Sequence, residues 1–557
     1  MTLAIEVAPI FRSPVGSTPA VPRTDPIDSP DHPEASGGPE IVDPSLTTVP
    51  ADSRRQSLGR ALVVASIALV LGAAGAGGLL GSSSPAPSGS GPGGGVLALG
   101  EEGAPSASVG GSQPAATPAQ ETTQAAQTPP APTPAPVSPN RWVATTGSDT
   151  AEGSATRPWR TIQHAVDTTP AGGVITVRAG TYAHFVINRS DVDVQGAAGE
   201  TVVVAGGNYV VLVMGVSNAT IRHLTIQKAP TRWGSGIRVE DSRDVRIENN
   251  LIRNNHSFGI KVKDATNVRI SGNEIRGNDT GIELSGAVGG ALITANRIHH
   301  NNHMVTRSRG GNGIVFTLTS GPVTVTGNRL WGNRARHLSG SGYDGGAFEV
   351  YGASDLSITD NVLWDNNNVM ETGTDGTAPC RRITFARNVA FGPGTVPRET
   401  QGLILRCASS SLFANNTFDG LDTFAFYVTD SGSFAGSIAG LRIENNIVVR
   451  GRIYSLSKGL PKGLVLDHNL AYPGGSTAQY AKYFAYVAGH GNTDSLAEFR
   501  RWTGYEVHGV KTSPRFVDRA KHDYRLRTGS PAIDRGARVL GGYAGKAPDL
   551  GRFEFDR

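Results

Sequence analysis

An asparagine followed by an apolar residue recurs between residues 250 and 469 of the sequence. The successive positions are Asn250, Asn273, Asn296, Asn328, Asn361, Asn388, Asn416, Asn446 and Asn469. Their spacings are 23, 23, 32, 33, 27, 28, 30 and 23 residues. A period of about 22 residues, with short apolar runs between polar turns, is typical of the coils of a parallel β-helix, and longer intervals are coils that carry loop insertions. The sequence therefore predicts an all-β fold, a single-stranded right-handed parallel β-helix over residues 140 to 557.

A second series of asparagines lies five residues after the first five. Its members are Asn255, Asn278, Asn301, Asn333 and Asn366. Amides that stack from coil to coil satisfy buried backbone groups of the turns. We therefore interpret both series as structural.

The strands that precede these turns alternate in polarity. In GIRVE, GIKVK and GIELS the apolar residues are predicted to point into the solenoid, and they are Ile237, Val239, Ile260, Val262, Ile282 and Leu284. The residues between them are predicted to form one outward column with a rise of about 4.8 Å per coil. This column comprises Arg238, Lys261, Glu283, Val315 and Glu349.

The segment from residue 141 to residue 180 predicts a cap for the N-terminal end of the solenoid. Residues 142 to 144 and 174 to 177 are predicted strands, and residues 161 to 166 form a predicted short amphipathic helix with Ile162, Ala165 and Val166 on its apolar side. Such a helix covers the unpaired backbone of the first coil.

The first 139 residues have a different composition. Residues 1 to 59 predict a disordered cytoplasmic tail, and residues 83 to 139 form a linker rich in Pro, Ala, Ser and Gly. Residues 60 to 82 contain an uncharged apolar run, from 61 to 81, that is long enough to cross a membrane. Arginines on its N-terminal side predict a single-pass signal anchor with the C-terminal domain outside the cell, and the alternative is secretion after cleavage.

The charge distribution argues against a nucleic-acid partner. The net charge is only +4, and the positive residues are scattered without interleaved aromatic residues. We expect a monomer.

Both ends of the predicted solenoid resemble right-handed β-helix proteins of the pectate-lyase superfamily. The opening TTGSDTAEGSATRPWRTIQHAVDTTPAGGVITVRAGTY is similar to the start of many members, and DYRLRTGSPAIDRGA with APDLGRFEF is similar to the closing segment of bacterial ones. The resemblance implies the fold over residues 141 to 557, and it implies a polysaccharide as the partner.

A closer resemblance is to polysaccharide lyases of family nine. Their pattern is echoed by Asp279 with the following Thr and Gly, by residues 344 to 349, and by residues 364 to 371. Glu349 stands where that family places its lysine base. His299, His300, Asn301, Asn302 and His303 stand where the family has an acidic calcium cluster. The resemblance implies calcium as a possible cofactor, and the sequence shows no clear site for it.

The column suggests two chemistries. Elimination from a uronate needs a base and a positive partner for the carboxylate, and Lys261 and Arg238 could fill these roles. Glycoside hydrolysis needs two carboxyl groups, and the candidates are Glu283, Asp344, Glu349, Glu371 and Asp365. The simpler interpretations are stacked surface charges for the former set, and turn formers or structural calcium ligands for the latter.

Loop insertions supply the candidate substrate contacts. His303, Arg307 and Arg309 lie in the first insertion and suit an anionic sugar, although an exposed loop histidine without a function is the alternative. Asp279 and Asp365 are further candidates for substrate binding. His299 and His300 lack a metal-binding spacing, so no metal is predicted.

The two cysteines occupy nearly equal positions on adjacent coils. Cys380 and Cys407 precede Asn388 and Asn416 by eight and nine residues. This placement predicts a disulfide in an extracellular domain, with two separate buried thiols as the alternative.

These observations lead to one main hypothesis and two alternatives. The main hypothesis is a membrane-anchored extracellular protein that acts on a polysaccharide, an acidic one, by β-elimination or epimerisation. One alternative is a glycoside hydrolase with paired carboxylates, and the other is a noncatalytic carbohydrate-binding or adhesive protein.

Overall fold

The chain from residue 140 onward winds through three long parallel sheets. The computed structural model describes residues 140–302, 311–334, 345–374, 376, 378–392, 401–430, 437–457, 459–461, 463–474, 480 and 482–556. Each sheet has 13 strands, and each strand pairs with the equivalent strand of the coils before and after it. This topology confirms the predicted parallel β-helix.

The strands of sheet A form the first wall of the solenoid. They are Arg141–Val143, Gly173–Val177, Val192–Gly196, Ala219–Arg222, Arg246–Glu248, Arg269–Ser271, Ala291–Thr294, Val323–Thr326, Ser354–Thr359, Arg381–Ala386, Leu412–Ala414, Arg442–Glu444 and Val465–Asp467.

The strands of sheet B follow those of sheet A within each coil. They are Gly180–Ala183, Val202–Ala205, Thr225–Gln227, Leu251–Arg253, Glu274–Arg276, Arg297–His299, Arg329–Trp331, Val362–Trp364, Val389–Phe391, Thr417–Asp419, Ile447–Val449, Leu470–Tyr472 and Val510–Lys511.

The strands of sheet C complete each coil. They are Phe185–Ile187, Tyr209–Met214, Ser235–Glu240, Phe258–Lys263, Thr280–Ala287, Asn312–Ser320, Gly346–Tyr351, Asn368–Gly373, Gln401–Leu405, Phe426–Val428, Tyr454–Leu456, Ala485–Val487 and the antiparallel Gly491–Thr493.

Period-two alternation fills the interior. The inward side chains predicted from GIRVE, GIKVK and GIELS are all fully buried, and they stack in register as Ile237, Ile260 and Ile282 do. The three sheets therefore enclose one continuous apolar core, and their outward residues are left to form the surface of the domain.

Both asparagine series form continuous hydrogen-bonded columns inside the turns. In the first column, the backbone N and Nδ2 of Asn273 both donate to Oδ1 of Asn296, at 3.0 Å each. In the second, Nδ2 of Asn278 donates to Oδ1 of Asn301 at 3.0 Å. The amides are buried, so the columns satisfy backbone groups that water cannot reach.

The N-terminal cap agrees with its prediction. The helix is Ile162–Thr168, and the Thr161 side chain accepts from the backbone N of His164 as its N-cap. Its buried residues are Ile162, Ala165 and Val166, as predicted.

The C-terminal end is covered by a returning segment. The helix Leu496–Thr503 follows sheet C, and the hairpin of Phe516–Asp518 and Asp523–Leu526, joined by the 3₁₀ helix Arg519–Lys521, packs on sheet B. Phe516 and Tyr524 share a small apolar cluster with Ile447.

The predicted tail, signal anchor and linker lie outside the described residues. Among the residues described, no helix is both long and apolar enough to cross a membrane.

The predicted disulfide requires a correction. Cys380 and Cys407 do lie on adjacent coils and are buried, but both are free thiols in this structure. Sγ of Cys407 accepts from the backbone N of Cys380 at 2.9 Å, and the thiol of Cys380 donates to the carbonyl of Gly373 at 3.0 Å. Each sulfur therefore takes part in a hydrogen bond instead of a covalent bridge.

Candidate functional site: the outward column of sheet C

The outward residues of sheet C form the predicted column. Strand pairing places Arg238 beside Lys261, Lys261 beside Glu283, and Glu283 beside Val315. Val315 in turn pairs with Glu349. The predicted line of residues is therefore present.

Glu371 extends this column. It pairs directly with Glu349, so the backbones of the two acidic residues are about 4.8 Å apart. Five rungs separate Arg238 from Glu371, which corresponds to about 24 Å. The five predicted catalytic residues that the structure describes therefore cannot all surround one reacting bond, although the column can line an extended groove.

The two basic residues of the column are held in ion pairs. Nζ of Lys261 lies 3.0 Å from Oε1 of Glu283, and these side chains are only 17% and 12% exposed. Nε of Arg238 lies 2.8 Å from Oε2 of Glu240, and Nζ of Lys263 lies 2.9 Å from Oε1 of the same carboxylate. This end of the column is charge-compensated by the protein itself.

The acidic end has a different pattern. Oε2 of Glu349 accepts from Nδ2 of Asn312 at 2.7 Å, and Glu371 is paired with the guanidinium of Arg406. The described contacts of these two carboxyl groups thus include the amide of Asn312 for Glu349 and the guanidinium of Arg406 for Glu371.

The other predicted contacts are distributed elsewhere. Asp279 is buried where its strand begins, and Asp365 is paired with Arg334 in a turn, which favours structural roles. Asp344, His303, Arg307 and Arg309 lie outside the described residues.

Sequence reasoning missed Asn312 and Arg406. Asn312 is the first residue of its strand and precedes the Gly of GIVFT, which is a position that the other repeats fill with different residues. Arg406 follows the strand Gln401–Leu405, two residues after the outward Ile404. Aligning GLILR with GIRVE would have suggested an outward Arg406, because it places Ile404 in the column of Arg238 and Arg406 two residues further on.

A second outward column, on sheet B, is aromatic. His299, Trp331 and Trp364 stack with ring centroids 4.0 and 4.7 Å apart. Phe391 and then His522 of the C-terminal hairpin continue the stack. Burial lowers the pKa of His299 to about 4, so its ring is neutral at physiological pH.

One cluster outside these columns has metal-ligand chemistry. Asp467, His468 and His508 place their ligand atoms within 4.8 Å of one another. Asp467 already accepts from Nδ1 of His508 at 2.7 Å, and the two imidazoles are stacked. We therefore interpret the cluster as a contact that fixes a turn.

Comparisons with known proteins agree with this architecture. A family model described as right-handed beta helix region matches residues 185–396. Together with the three parallel sheets, this match shows that the domain is a right-handed parallel β-helix. A model for a protein family of unknown function, DUF1565, matches residues 145–188 at the N-terminal end of this β-helix.

Individual relatives of the β-helix are distant. The uncharacterized protein YwoF of Bacillus subtilis (strain 168) is 24% identical over 443 residues, which are 70% of this chain and 91% of that protein. Pectate lyase Pel9A is 16% identical with a TM-score of 0.40, covering 75% of this chain and 96% of its own. XylC in complex with xylose is 12% identical with a TM-score of 0.45, covering 60% and 83%.

Proposed function

We propose that the β-helix domain hydrolyses glycosidic bonds of a polysaccharide that lies along sheet C, with Glu349 and Glu371 as the two reacting carboxyl groups. The observation that carries the proposal is the direct pairing of these residues on adjacent strands. With their backbones about 4.8 Å apart, the two side chains can bring their carboxyl groups to the separation of about 5 to 5.5 Å that retaining glycosidases use.

The two carboxyl groups take different roles in the proposed reaction. The carboxylate of Glu371, oriented by its ion pair with Arg406, attacks the anomeric carbon. Glu349, which accepts a hydrogen bond from Nδ2 of Asn312, gives its proton to the departing glycosidic oxygen. Glu349 then removes a proton from water, which displaces Glu371 from the covalent intermediate and regenerates both groups.

The proposed substrate follows from the shape of the surface. A continuous column that crosses many coils suits a polymer more than a small molecule. The ion-paired residues Arg238 and Lys261 would contact sugars on one side of the cleaved bond, and the aromatic column lies on the adjacent sheet. Pectate lyase Pel9A, which has the same architecture, is consistent with a polysaccharide substrate.

The test uses the full-length chain with a panel of neutral and uronic-acid polymers. We expect new reducing ends from the native protein, and a loss of about a hundredfold or more in kcat for Glu349→Gln and Glu371→Gln. Glu248→Gln on sheet A is the matched control, because it removes a carboxylate from another face of the solenoid. Unchanged turnover in both column variants would reject the assignment.

The same assay separates the alternatives. Unsaturated-uronate absorbance that disappears in Lys261→Ala would establish elimination instead of hydrolysis. Retention on the polymer without either product would establish a noncatalytic binding protein.

We also propose that residues 61 to 81 hold this domain on the outer side of a cell membrane. The support is the uncharged 21-residue run with arginines before it. The full-length chain should stay with membranes after carbonate extraction, and protease added to intact cells should remove the β-helix domain. Leu69→Arg should release the chain from the membrane. A native chain that is extracted by carbonate would contradict the anchor.

A further inference from the structure

A cavity of about 630 Å³ lies at the C-terminal end of sheet B, away from the column of sheet C. Its walls are formed by the ends of the strands Ile447–Val449 and Leu470–Tyr472 and by the returning hairpin. Cavities of roughly 300 to 1,000 Å³ are of the size that binds small organic ligands.

Four arginines line this cavity. They are Arg450, Arg515, Arg519 and Arg527. Within the described part of the chain, the carboxylate that forms ion pairs with these guanidinium groups is that of Asp419, which Arg450 contacts at 2.6 Å and Arg519 at 3.7 Å. Nη1 of Arg515 donates to the carbonyl of Gly529 at 3.1 Å, and Arg527 donates to a neighbouring carbonyl.

The nearby acidic residues of the hairpin are paired with other cations. Asp518 pairs with Lys521 at 3.0 Å, and Asp523 pairs with Arg525 at 2.6 Å. Asp419 is only 1% exposed, so it lies beneath the arginines and not in the cavity. The cavity therefore has a surplus of positive charge, which attracts an anion.

An aromatic face accompanies the guanidinium groups. Tyr472 lines the cavity and is 48% exposed, which is unusual for a large apolar residue of this domain. Strand pairing places Tyr472 in the same outward column of sheet B as Trp331, Trp364 and Phe391. Three rungs separate Phe391 from Tyr472, or about 14 Å.

We propose that this cavity is a binding site for an acidic oligosaccharide. The apolar face of a sugar ring would pack on Tyr472. The carboxylate, sulfate or phosphate of the sugar would receive paired hydrogen bonds from the guanidinium groups. The proposal rests on the proposed function only in taking a saccharide as the ligand. It adds a site on a different sheet, and it assigns the ligand a negative charge.

The two positions that are best suited to mutation are Tyr472 and Arg519. Tyr472 is exposed, and the Arg519 guanidinium lies 3.7 Å from Asp419, so their replacement leaves the shorter hydrogen bonds of the hairpin in place. Lys521→Gln is the matched control. It removes a positive charge from the same 3₁₀ helix, but its side chain is 83% exposed and does not line the cavity.

The experiment measures binding of three probes to the detergent-solubilised full-length chain by calorimetry. The probes are a uronic-acid tetrasaccharide, a neutral tetrasaccharide and inorganic phosphate. We expect the native chain and Lys521→Gln to prefer the uronic-acid probe, with an affinity that falls as salt is added. We expect Tyr472→Ala/Arg519→Gln to lose about tenfold or more in affinity for it.

Three results would overturn the proposal. They are equal binding of the charged and neutral probes, equal binding of the tetrasaccharide and phosphate, and undiminished binding by the double variant. If the double variant fails to fold, modification of arginines in the native chain by phenylglyoxal provides the test. Protection of Arg515 and Arg519 by the uronic-acid probe supports the site, and modification at an unchanged rate rejects it.

Failure of the proposed hydrolysis would give results that differ from failure of the cavity proposal. Glu349→Gln should abolish hydrolysis and leave the affinity of the cavity unchanged, because the two sites lie on different sheets. A native chain that binds the acidic probe at the cavity but cleaves no polymer would reject hydrolysis alone.

Discussion

Glu506 accepts hydrogen bonds from both the backbone N and Nδ2 of Asn469, at 3.2 and 2.7 Å. These are the same two donors that each earlier asparagine of the first column directs to Oδ1 of the next one. Glu506 also receives the hydroxyl of Tyr454 at 2.5 Å and is fully buried. A carboxylate from the returning segment therefore ends the column where a further asparagine is lacking.

Replacing Glu506 should weaken the end of the solenoid. Glu506→Ala leaves two buried donors of Asn469 without this acceptor, and a buried unsatisfied group costs about 1 to 3 kcal/mol. We expect the free energy of unfolding to fall by about 3 kcal/mol, measured by urea denaturation. Asp494→Ala is the control, because this exposed carboxylate pairs with Lys511 at the surface and should contribute less than about 1 kcal/mol. Equal effects of the two changes would contradict the role of Glu506.

Glu506 should also make stability depend on pH near neutrality. Burial raises the pKa of Glu506 from 4.5 to about 7. Between these values the native state keeps a proton that the unfolded state releases, so stability falls as pH rises from about 4.5 to about 7 and then levels off. The decrease should be on the order of 3 kcal/mol. Urea midpoints of the native chain and of Glu506→Gln at pH 5 and pH 8 check this expectation, because the glutamine variant should lose the dependence.

Glu240 should make the stability fall as pH decreases in the acid range, which is opposite to the effect of Glu506. The hydrogen bond from Arg238, helped by that from Lys263, lowers the pKa of Glu240 from 4.5 to about 2. The contribution of this carboxylate is complete above about pH 4.5 and is lost as pH falls toward about 2. Because the group is partly solvated, we expect only about 1 kcal/mol. Thermal unfolding of Glu240→Gln should differ from that of the native chain at pH 7 and converge with it near pH 2. A constant difference would contradict the shifted pKa.

A central amide of the first column should be costly to remove. Oδ1 of Asn361 accepts from Asn328, and its Nδ2 donates to Oδ1 of Asn388 at 3.0 Å. Asn361→Ala should lower the free energy of unfolding by about 3 kcal/mol or more, since partners on both sides lose a buried hydrogen bond. Asn267→Ala is a useful comparison, because Asn267 pairs with Asp244 on the exposed surface. Asn267→Ala should lower the free energy of unfolding by only about 1 kcal/mol, because alanine is strained in the left-handed backbone conformation of this residue.

Arg406 should matter for turnover and not only for folding. If Glu371 is the nucleophile, Arg406→Gln removes the cation that orients its carboxylate, and kcat should fall by about a hundredfold. Arg406→Lys should recover part of the activity, because the charge returns without the planar donor pair. Arg382→Gln, which breaks an exposed pair with Asp355 on sheet A, should leave kcat unchanged.

The repeating part of this molecule could be predicted from sequence because its rules are local. The spacing of the asparagines gives the register, and alternation then assigns Ile260 to the core and Lys261 to the surface. Glu349 and Glu371 follow the same rule. The presence of these residues in one line is therefore a consequence of a period that can be counted.

The features that could not be predicted depend on contacts between segments that are distant in the sequence. Glu506 lies 37 residues beyond Asn469, and nothing in its neighbourhood resembles the repeat. The arginine-lined cavity exists because a hairpin returns to sheet B, and Arg519 meets Arg450 only through that return. Contacts of this kind cannot be predicted from the period of the repeat. The predicted disulfide was wrong for this structure because the position of two cysteines on adjacent coils does not decide whether their sulfurs form a bond.

The columns keep the same geometry where a coil carries an insertion. The bond from Nδ2 of Asn273 to Oδ1 of Asn296 spans 23 residues and that from Asn296 to Asn328 spans 32, yet both measure 3.0 Å. The extra residues of this coil lie in the sequence between the strand Arg297–His299 of sheet B and the strand Asn312–Ser320 of sheet C, which corresponds to the corner between these two sheets. Segments of different length or composition could thus be exchanged at that corner without disturbing the stacked coils. A new substrate specificity would then require a change of one loop and not a new fold.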